Sequence, residues 1–587
     1  MNANYLQAIA EITAPGELYE TTKIKVGSID YIGFARAPKN LLEIFRAGLQ
    51  FAENDFYVFQ NERYTFEDTW AEAARVANTL LTLGIKQGDR IGINCRNFPE
   101  WIFAFMGITA IGGVATALNA WWSKEETILA IKDSGLEYLI VDRERYTKIQ
   151  DSIEGLNLKL ITVRMSPQAG AIPWESWLRT ASTEMPELDI PGHEPATLLF
   201  TSGSTAHPKG VLSNHRAIVS ALLGWEAGAI INWRAQQLEM EAQGLNTTDL
   251  PDPRKRFGGP ETSKELENPP ASILSVPLFH VTGLFVQMLT SFRGGRKLVG
   301  MYKWDVDEAL RIIQDEKLTS FNGVPTMSWE LTQSPNLHKY DLSSLHSAGG
   351  GGAPMAPEHS KQIDEKLCKG GQLTGWGMTE TQGYGANISG SDFAQRPKSC
   401  GRAIPPICKV KAIDENGNDV GPGNEGELSI WGIMNFSGYW RDPEATARAI
   451  SDGWVRSGDI GYVDEEGFVY ITDRKKDIVI RGGENISCQE VESVLYEHGD
   501  ILECAVIGIP HERLGEVVGA VICVAKESAL TAASIQEWAR NKLASFQVPE
   551  RVWIRYEQLP RTGSEKIFKR VIRREILEEL AKANRSS

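Results

Sequence analysis

The segment TSGSTAHPKGV, residues 201–211, combines hydroxyl, glycine and lysine residues in the manner of a phosphate-binding loop. Gly203 allows backbone N–H groups to point inward at an anion, and Lys209 adds a positive charge. Hydroxyl groups come from Thr201, Ser202, Ser204 and Thr205. These residue types predict that the loop binds phosphate.

The order of these residues differs from that of a P-loop, in which the lysine follows the last glycine and precedes Ser or Thr. Here Lys209 precedes Gly210, and Val211 takes the position of the hydroxyl residue. Pro208 favours an extended backbone at His207, so a helix does not readily begin at the end of the loop. The sequence therefore argues against a P-loop kinase and against a phosphate that rests on a helix N-terminus.

Strand-like apolar runs alternate with helical patterns around this loop. The chain of 587 residues is long enough for two or more domains. The strand-like runs are RIGINC, YLIVD, ATLLF, SILSV and RKLVG, and TFEDTWAEAARVANTLLTLGI has a helical pattern. This alternation predicts an α/β fold, with βαβ units in largely parallel sheets that are covered by helices.

The pattern changes towards the C-terminus. After residue 400, short strands and turns predict a β-rich layer, and the charged joint TDRKKD precedes a separate α+β pattern. We therefore predict a large N-terminal domain, residues 1–473, a hinge at 474–476, and a small mobile C-terminal domain, residues 477–587. Residues 232–270 are polar and rich in Pro and Gly, which indicates a mobile surface insertion; a role for it in capping the active site or in subunit contact stays open.

Composition limits the partners and the compartment. The net charge of -15 argues against nucleic acid as a partner. The seven cysteines are scattered without metal-ligand spacing, and the N-terminus does not resemble a signal peptide, which favours a reduced, cytoplasmic protein. Residues 101–122 carry no charge and are long enough to cross a bilayer, but Gly112 and Gly113 favour a buried helix followed by a buried strand. We expect no transmembrane segment, while peripheral membrane contact and a homodimer stay open.

Further motifs follow the loop along the chain. They are VPLFHVTG (276–283), SAGGGGAPM (347–355), GWGMTET (375–381), SGDIGYVDEEGFVYITDRKKDIVIRGGENIS (457–487) and PRTGSEKIFKR (560–570). Together with the loop, these motifs resemble those of the adenylate-forming superfamily, which includes acyl-CoA synthetases, luciferases and the adenylation domains of peptide synthetases. The resemblance covers nearly the whole chain.

The resemblance implies a role for each matching residue. The loop 201–209 would hold the β- and γ-phosphates of ATP, Thr379 would contact the α-phosphate, and Glu380 would bind Mg²⁺. The remaining nucleotide contacts would come from Gly351, Gly352 and Ala353 in the adenine slot, Trp376 stacked on the base where the family more often has Tyr, and Asp459 and Arg474 on the ribose hydroxyls.

The acyl-CoA synthetase branch of the family adds a second half-reaction, with coenzyme A. The resemblance implies that Lys566 serves the first half-reaction, in which a carboxylic acid and ATP give acyl-AMP and pyrophosphate. The C-terminal domain would then rotate about Lys476. This rotation would let the strand near Gly482 and Gly483 shape a tunnel for the pantetheine of CoA.

His280 has two interpretations. In CoA ligases the Glu of the GGEN motif, here Glu484, meets the His of the PLFH motif, here His280, when the thioester forms. A histidine in an apolar run is also typical of a hydrogen-bonded core residue, and this alternative stays open. Two positions depart from the family pattern: Ala206 replaces a glycine of the loop, and Glu565 replaces the glycine before Lys566, where its carboxylate could pair with the lysine.

The motifs narrow the choice of enzyme. Amino-acid-activating domains carry an Asp in the PLFH region, and acyl-AMP ligases that load carrier proteins carry an insertion after the hinge; this sequence has neither feature. A non-catalytic nucleotide-binding relative would be expected to lose Lys566 or Glu380, and both are present. We predict an ATP-dependent acyl-CoA ligase of fatty-acid metabolism, with an aryl-CoA ligase or another adenylate-forming enzyme, such as one with luciferase-type chemistry, as the alternative.

The acyl pocket is expected to be lined by residues 280–288, residues 321–327 and the glycines before Ala353. These stretches supply Val, Leu, Phe, Met and small residues, with no ionisable group beyond His280. Such a wall favours a medium- or long-chain fatty acid, because it rewards each buried methylene and penalises an unpaired charge. A glycine-rich wall also admits a flat aromatic ring.

Overall fold

The structure, a computed structural model, describes residues 3–153, 155–201, 208–248, 250, 252–253, 269–353, 355–475, 477–482 and 484–586. Two large sheets form most of the N-terminal part of the chain, and a smaller sheet forms the C-terminal part. A separate hairpin near the N-terminus pairs Thr21–Val26 with Ile29–Phe34.

The first large sheet contains 8 strands. Its strand order is Gly438–Tyr439, Lys209–Asn214, Pro195–Thr201, Val114–Ala117, Arg90–Asn94, Tyr138–Asp142, Lys159–Val163 and Ala171–Pro173. From Pro195–Thr201 onward the neighbouring strands are parallel. Tyr138–Asp142 is buried over its whole length, as expected for a parallel strand with both faces covered. The strands predicted from the apolar runs RIGINC, YLIVD and ATLLF are confirmed.

The second large sheet contains 14 strands. Its strand order is Cys408–Ile413, Gly426–Gly432, Trp454–Val463, Phe468–Arg474, Gly401–Ala403, Gly385–Ser389, Gln372–Gly377, Ser347–Gly351, Ser320–Gly323, Ala271–Leu274, Lys297–Gly300, Asp55–Phe59 and Glu62–Thr65, with Ile450–Ser451 paired to Trp454–Val463. The strands between Gln372–Gly377 and Asp55–Phe59 are parallel. The β-rich region predicted after residue 400 is thus an antiparallel continuation of this sheet.

The C-terminal part has a 5-stranded sheet and its own hydrophobic clusters. The strands are Glu484–Ile486, Val479–Arg481, Gly515–Val524 and Ile501–His511 in that order, with Arg551–Arg555 also paired to Gly515–Val524. Val506 lies in one cluster and its neighbour Ile507 in another, because successive side chains of a strand point to opposite faces. The α+β character of this part agrees with the prediction, while the domain bounds stay a prediction.

Helices cover the sheets. The described α-helices are Ala3–Ile12, Leu41–Gly48, Phe66–Thr82, Pro99–Ala110, Lys124–Ser134, Arg143–Ile149, Trp174–Leu178, His215–Ala242, Thr290–Arg293, Val306–Asp315, Pro325–Gln333, Pro357–Lys366, Gly390–Gln395, Pro443–Ala449, Cys488–Tyr496, Ala532–Arg540 and Lys569–Ser586. Thr282–Leu289 is a π-helix, and short 3₁₀ helices span Leu49–Phe51, Gln150–Ser152, Leu337–Lys339 and Thr379–Thr381. The predicted helix Phe66–Thr82 begins at a capping box in which Thr65 and Asp68 each bind the other's backbone N–H.

The uncharged segment 101–122 is buried. It forms most of the helix Pro99–Ala110 and then the strand Val114–Ala117, as predicted. Trp101 is fully buried, and the largest hydrophobic cluster joins this helix to both large sheets. Among the described residues, no helix is both long and apolar enough to span a membrane.

The segment predicted as a surface insertion begins later than expected. Residues 232–242 continue the helix His215–Ala242, because RAQQLEMEA is composed mostly of strong helix-forming residues. This helix packs on Ala3–Ile12, where Arg234 Nε donates to Glu11 at 2.7 Å. Most of the remaining segment, including residues 254–268, lies outside the described residues.

Candidate active site

The phosphate loop is anchored by two antiparallel strands. Thr201 ends the strand Pro195–Thr201 and lies opposite Lys209, which begins the strand Lys209–Asn214. The Thr201 hydroxyl donates to the Lys209 carbonyl at 3.5 Å. The loop is therefore followed by a strand and not by a helix, as Pro208 predicted. Ser202, Gly203, Ser204 and Thr205 lie outside the described residues, as does Ala206.

Glu380 lies in the 3₁₀ helix Thr379–Thr381 and is 7% exposed. The Tyr439 hydroxyl donates to Glu380 Oε1 at 2.7 Å, and Lys209 Nζ lies 4.9 Å from the centroid of the Tyr439 ring. Burial raises the pKa of Glu380, while the Tyr439 hydrogen bond and the Lys209 charge oppose this rise. The fold thus brings the predicted metal ligand and the lysine of the phosphate loop to one place.

Asp459 binds two further residues that were predicted to contact the nucleotide. It accepts a hydrogen bond from Trp376 Nε1 at 2.7 Å and one from Arg474 Nε at 3.1 Å. Asp459 and Arg474 are opposite partners on the antiparallel strands Trp454–Val463 and Phe468–Arg474. Because Asp459 fixes the edge of the indole, the orientation of Trp376 is set by the residue predicted to bind the ribose.

The glycine-rich strand Ser347–Gly351 leads to Gly352, whose φ is +88°. A Cβ atom on Gly352 would lie 2.7 Å from Lys566 Nζ, and a Cβ on Gly351 would lie 2.5 Å from the Gly375 carbonyl oxygen. Glycine is therefore required here for close approach as well as for the positive φ. Ala353 follows directly and is half-buried.

Lys566 belongs to the C-terminal part but lies inside this site. Burial and the charge of Arg474 lower its pKa to about 8, and Asp459 opposes this shift. Burial and the nearby Lys566 charge lower the pKa of His280 to about 3, so its imidazole is neutral at pH 7. The Thr282 backbone N–H donates to His280 Nδ1 at 3.2 Å, which places the ring proton on Nε2. His280 therefore lies within reach of the Lys566 charge, and its role in the site stays a prediction.

The structure does not bring Glu484 to His280. Glu484 is exposed on a hairpin that pairs Val479–Arg481 with Glu484–Ile486, and Gly482 lies at its turn with a φ of +61°. Gly483 and the predicted hinge residue Lys476 lie outside the described residues. The meeting of Glu484 and His280 stays a prediction for another arrangement of the domains.

Glu565 does not pair with Lys566 as its position suggested. Its carboxylate accepts from Arg561 Nη1 at 3.3 Å, and its backbone has a φ of +63°, in the left-handed region where glycine is favoured. Sequence reasoning also missed Tyr439 and Arg561. Tyr439 lies outside every motif used, and no local pattern marks it as a partner of Glu380.

Comparisons with known proteins identify the family. Residues 44–440 match the model of AMP-binding enzymes, and residues 490–566 match that of the AMP-binding enzyme C-terminal domain. The chain is 30% identical over 561 residues to a long-chain-fatty-acid–CoA ligase of Bacillus subtilis strain 168, covering 90% of this chain and 92% of the relative. It is 31% identical over 512 residues to a feruloyl-CoA synthase of an Amycolatopsis species, covering 87% and 93%. The ATP-bound structure of MatB from Rhodopseudomonas palustris matches 91% of this chain and 99% of that chain, with a TM-score of 0.77 and 26% identity.

The chain therefore belongs to the AMP-binding enzyme family, within the adenylate-forming superfamily. The predicted fold is confirmed, and so is the class of acid–thiol ligase that uses ATP, Mg²⁺ and CoA. The acid itself is left open, because one relative is named for a long-chain fatty acid and another for ferulic acid.

The described residues fit ATP and Mg²⁺. Glu380 is a buried carboxylate beside a lysine, and Mg²⁺ is usually held by one or two carboxylates together with substrate phosphates. The described part of the chain has no cluster of three or more His, Cys, Asp or Glu residues that could hold a metal without such phosphates. The absence of a side chain at Gly352 lets Lys566 approach the backbone here, and its absence at Gly351 lets the Gly375 carbonyl do so.

Proposed function

We propose that the protein is an ATP-dependent acyl-CoA ligase that activates a medium- or long-chain fatty acid. The observation that carries this proposal is the position of Lys566, which reaches from the C-terminal part to Gly352, Asp459 and His280. In this arrangement one cation from each part of the chain, Lys209 and Lys566, faces the nucleotide site. Two anions, a carboxylate and a triphosphate, can then be brought together.

In the first half-reaction, a carboxylate oxygen attacks the α-phosphorus of ATP and pyrophosphate leaves. The protein mainly positions the reactants and supplies fixed positive charge where negative charge accumulates. Lys566 supplies that charge, Thr379 contacts the α-phosphate, and the loop 201–209 holds the β- and γ-phosphates. Glu380 would hold Mg²⁺, which would offset the negative charge of the phosphate oxygens.

In the second half-reaction, the thiol of CoA attacks the acyl carbonyl and AMP leaves. This step needs Lys566 to withdraw, and we propose that the C-terminal domain turns about Lys476 to allow it. The hairpin at Gly482 then lines the pantetheine tunnel, to which Gly483 is also predicted to belong, and Glu484 reaches His280. The neutral His280 ring, with its proton on Nε2, can donate a hydrogen bond to the Glu484 carboxylate.

The fatty-acid specificity is supported by apolar side chains around Gly383, shortly after the 3₁₀ helix Thr379–Thr381. A Cβ atom on Gly383 would lie 3.1 Å from Val286 and 3.4 Å from Val281, with Trp225 at 3.9 Å. These side chains carry no charge, so they suit an alkyl chain. Within the stretch 321–327 of the predicted wall, Phe321 and Met327 pack in a separate hydrophobic cluster with residues of the helix Val306–Asp315.

A panel of acids tests this specificity. We expect carboxylate-dependent exchange of pyrophosphate into ATP to rise from acetate to octanoate, with binding about three- to fourfold tighter per methylene, because each buried methylene contributes about 0.8 kcal/mol. Leucine should be rejected, since the described wall offers no carboxylate to its ammonium group. Palmitate, benzoate and 4-coumarate complete the panel. Higher exchange with either aromatic acid than with octanoate would contradict the fatty-acid specificity and leave the adenylation chemistry intact.

Aromatic acids are the second candidate, and Gln382 favours them. Its side chain is fully buried beside Gly383, and both amide atoms have no hydrogen-bond partner among the described residues. A buried amide without partners is costly, so a polar substituent on a substrate ring would be a favourable partner for it. The comparison of octanoate with 4-coumarate decides between the two candidates.

We also infer a cytoplasmic location. All seven cysteines are free thiols and most are buried, as expected for a protein of a reducing compartment.

A further inference from the structure

The loop that carries Lys566 is closed on itself. The Thr562 N–H donates to the Lys566 carbonyl and the Phe568 N–H to the Pro560 carbonyl, each at 2.7 Å. The Lys566 N–H donates to the Thr562 hydroxyl at 3.2 Å, and Arg561 forms a β-bridge with Ile567. Residues 560–562 and 566–568 are thus hydrogen-bonded to each other. A contact that fixes Arg561 therefore also fixes the backbone of Lys566.

Arg561 is held by three carboxylates. Its side chain is 10% exposed and forms ion pairs with Glu330 at 2.6 Å, with Glu565 at 3.3 Å, and with Glu503. Glu503 and Glu565 belong to the C-terminal part, whereas Glu330 lies on the helix Pro325–Gln333 of the N-terminal part. The Arg561–Glu330 pair therefore joins the two parts of the chain.

Glu330 and Glu503 also accept hydrogen bonds from other donors, and the Glu565 carboxylate pairs with Arg561, so the cluster is not a set of unpaired anions. The Glu330 carboxylate accepts from Trp304 Nε1 at 2.6 Å and from Gln558 Nε2 at 3.1 Å. Glu503 accepts from the Leu559 N–H at 2.7 Å. A largely buried cation with this many hydrogen-bonded partners has a fixed geometry.

One face of the helix Pro325–Gln333 supports the same contact. The Thr326 hydroxyl donates to the Glu565 carbonyl at 3.0 Å, and Trp329 Nε1 donates to the Leu502 carbonyl at 3.1 Å. With Glu330, these residues have the i, i+3 and i+4 spacing that places side chains on one side of a helix. The helix thus holds the loop directly before Lys566.

The backbone conformation of Glu565 also indicates that the contact with Arg561 matters. A φ of +63° favours glycine, yet the chain has a glutamate here whose carboxylate reaches Arg561. The conformation is unfavourable for Glu565 by itself, and the contact with Arg561 offsets it.

We propose that Arg561 is a positioning residue for the adenylation half-reaction, and that its ion pair with Glu330 holds Lys566 in the nucleotide site. This proposal rests on the proposed function. Since the pair joins the two parts of the chain, it is lost when the C-terminal domain turns. It therefore stabilises the adenylating arrangement relative to the thioester-forming one.

The test is Glu330→Gln, which keeps the size and the hydrogen-bonding oxygen of the side chain but removes its charge. We expect pyrophosphate exchange to fall about tenfold, because an Arg561 charge that loses a buried partner disfavours this arrangement. Transfer of the acyl group to CoA from supplied acyl-adenylate should stay within twofold of the unchanged enzyme or rise. Glu330→Asp, which keeps the charge, should recover part of the exchange.

The matched control is Glu308→Gln. It removes the same charge from a neighbouring helix, where Glu308 is half-exposed and pairs with Arg311. It should change neither half-reaction. Equal loss of both half-reactions in Glu330→Gln, or full exchange activity in that variant, would overturn the proposal. If the unchanged enzyme catalysed no exchange with any acid, the proposed function would fail instead, and this proposal with it.

Discussion

Replacing Lys566 by alanine is expected to slow acyl-adenylate formation by about 100- to 1000-fold, the usual effect of removing one group that stabilises transition-state charge. Lys566 lies beside Gly352 and Asp459. In the proposed function, charge would accumulate on the α-phosphate at this place. Transfer from supplied acyl-adenylate to CoA should be largely spared, because phosphoryl charge does not build up in that step. The measurement is a separate assay of each half-reaction.

The pH profile of the same half-reaction provides a control. Because burial lowers the pKa of Lys566 to about 8, its ammonium charge is lost as the pH rises through that value. The kcat/KM of adenylation for ATP should therefore fall above pH 8, and Lys566→Arg should move this decline to higher pH. A role in folding alone predicts equal loss of both half-reactions in Lys566→Ala and an unchanged profile in Lys566→Arg.

Glu380→Gln should slow adenylation by about 100-fold or more, since the charge stabilisation supplied by a metal ion is worth several kcal/mol. The Mg²⁺ concentration for half-maximal exchange should also rise. Folding should be preserved, because burial raises the pKa of Glu380 and already disfavours its charge, and glutamine can still accept from Tyr439. Exchange is measured against Mg²⁺ concentration.

Tyr439→Phe is the matched control for this variant. It removes the 2.7 Å hydrogen bond but keeps the carboxylate, so its effect on exchange should stay below about tenfold. An unchanged Mg²⁺ dependence in Glu380→Gln would show that this carboxylate does not hold the metal.

Local sequence determines the individual elements better than their assembly. Apolar runs predicted the strands Arg90–Asn94 and Tyr138–Asp142, and a helical pattern predicted the helix Phe66–Thr82. The continuation of the large sheet beyond residue 400 depends on pairing between distant strands, which no local pattern encodes. The helical extension to Ala242 was missed because its residues are polar, although they are good helix formers.

In the candidate site, too, the sequence predicts individual residues better than the contacts between them. Motifs identified Lys209, Glu380 and Asp459, which the fold brings to one region. They did not reveal that Tyr439 binds Glu380 or that Arg561 binds Glu330, because these partners are 59 and 231 residues apart. The motifs also did not show that Phe321, in the stretch predicted for the acyl wall, packs with Leu310 in a separate cluster, because sequence alone does not show which side of a sheet a strand residue faces.

The central claim is that the carboxylate oxygen attacks the α-phosphorus of ATP, and isotopic labelling tests it most directly. The best acid of the panel, labelled with ¹⁸O in both carboxylate oxygens, is incubated with the enzyme, ATP, Mg²⁺ and CoA, and the products are analysed by mass spectrometry. We predict AMP that carries one ¹⁸O atom, unlabelled pyrophosphate, and an acyl-CoA that keeps the other ¹⁸O atom. Unlabelled AMP, or ADP together with labelled phosphate, would contradict the account.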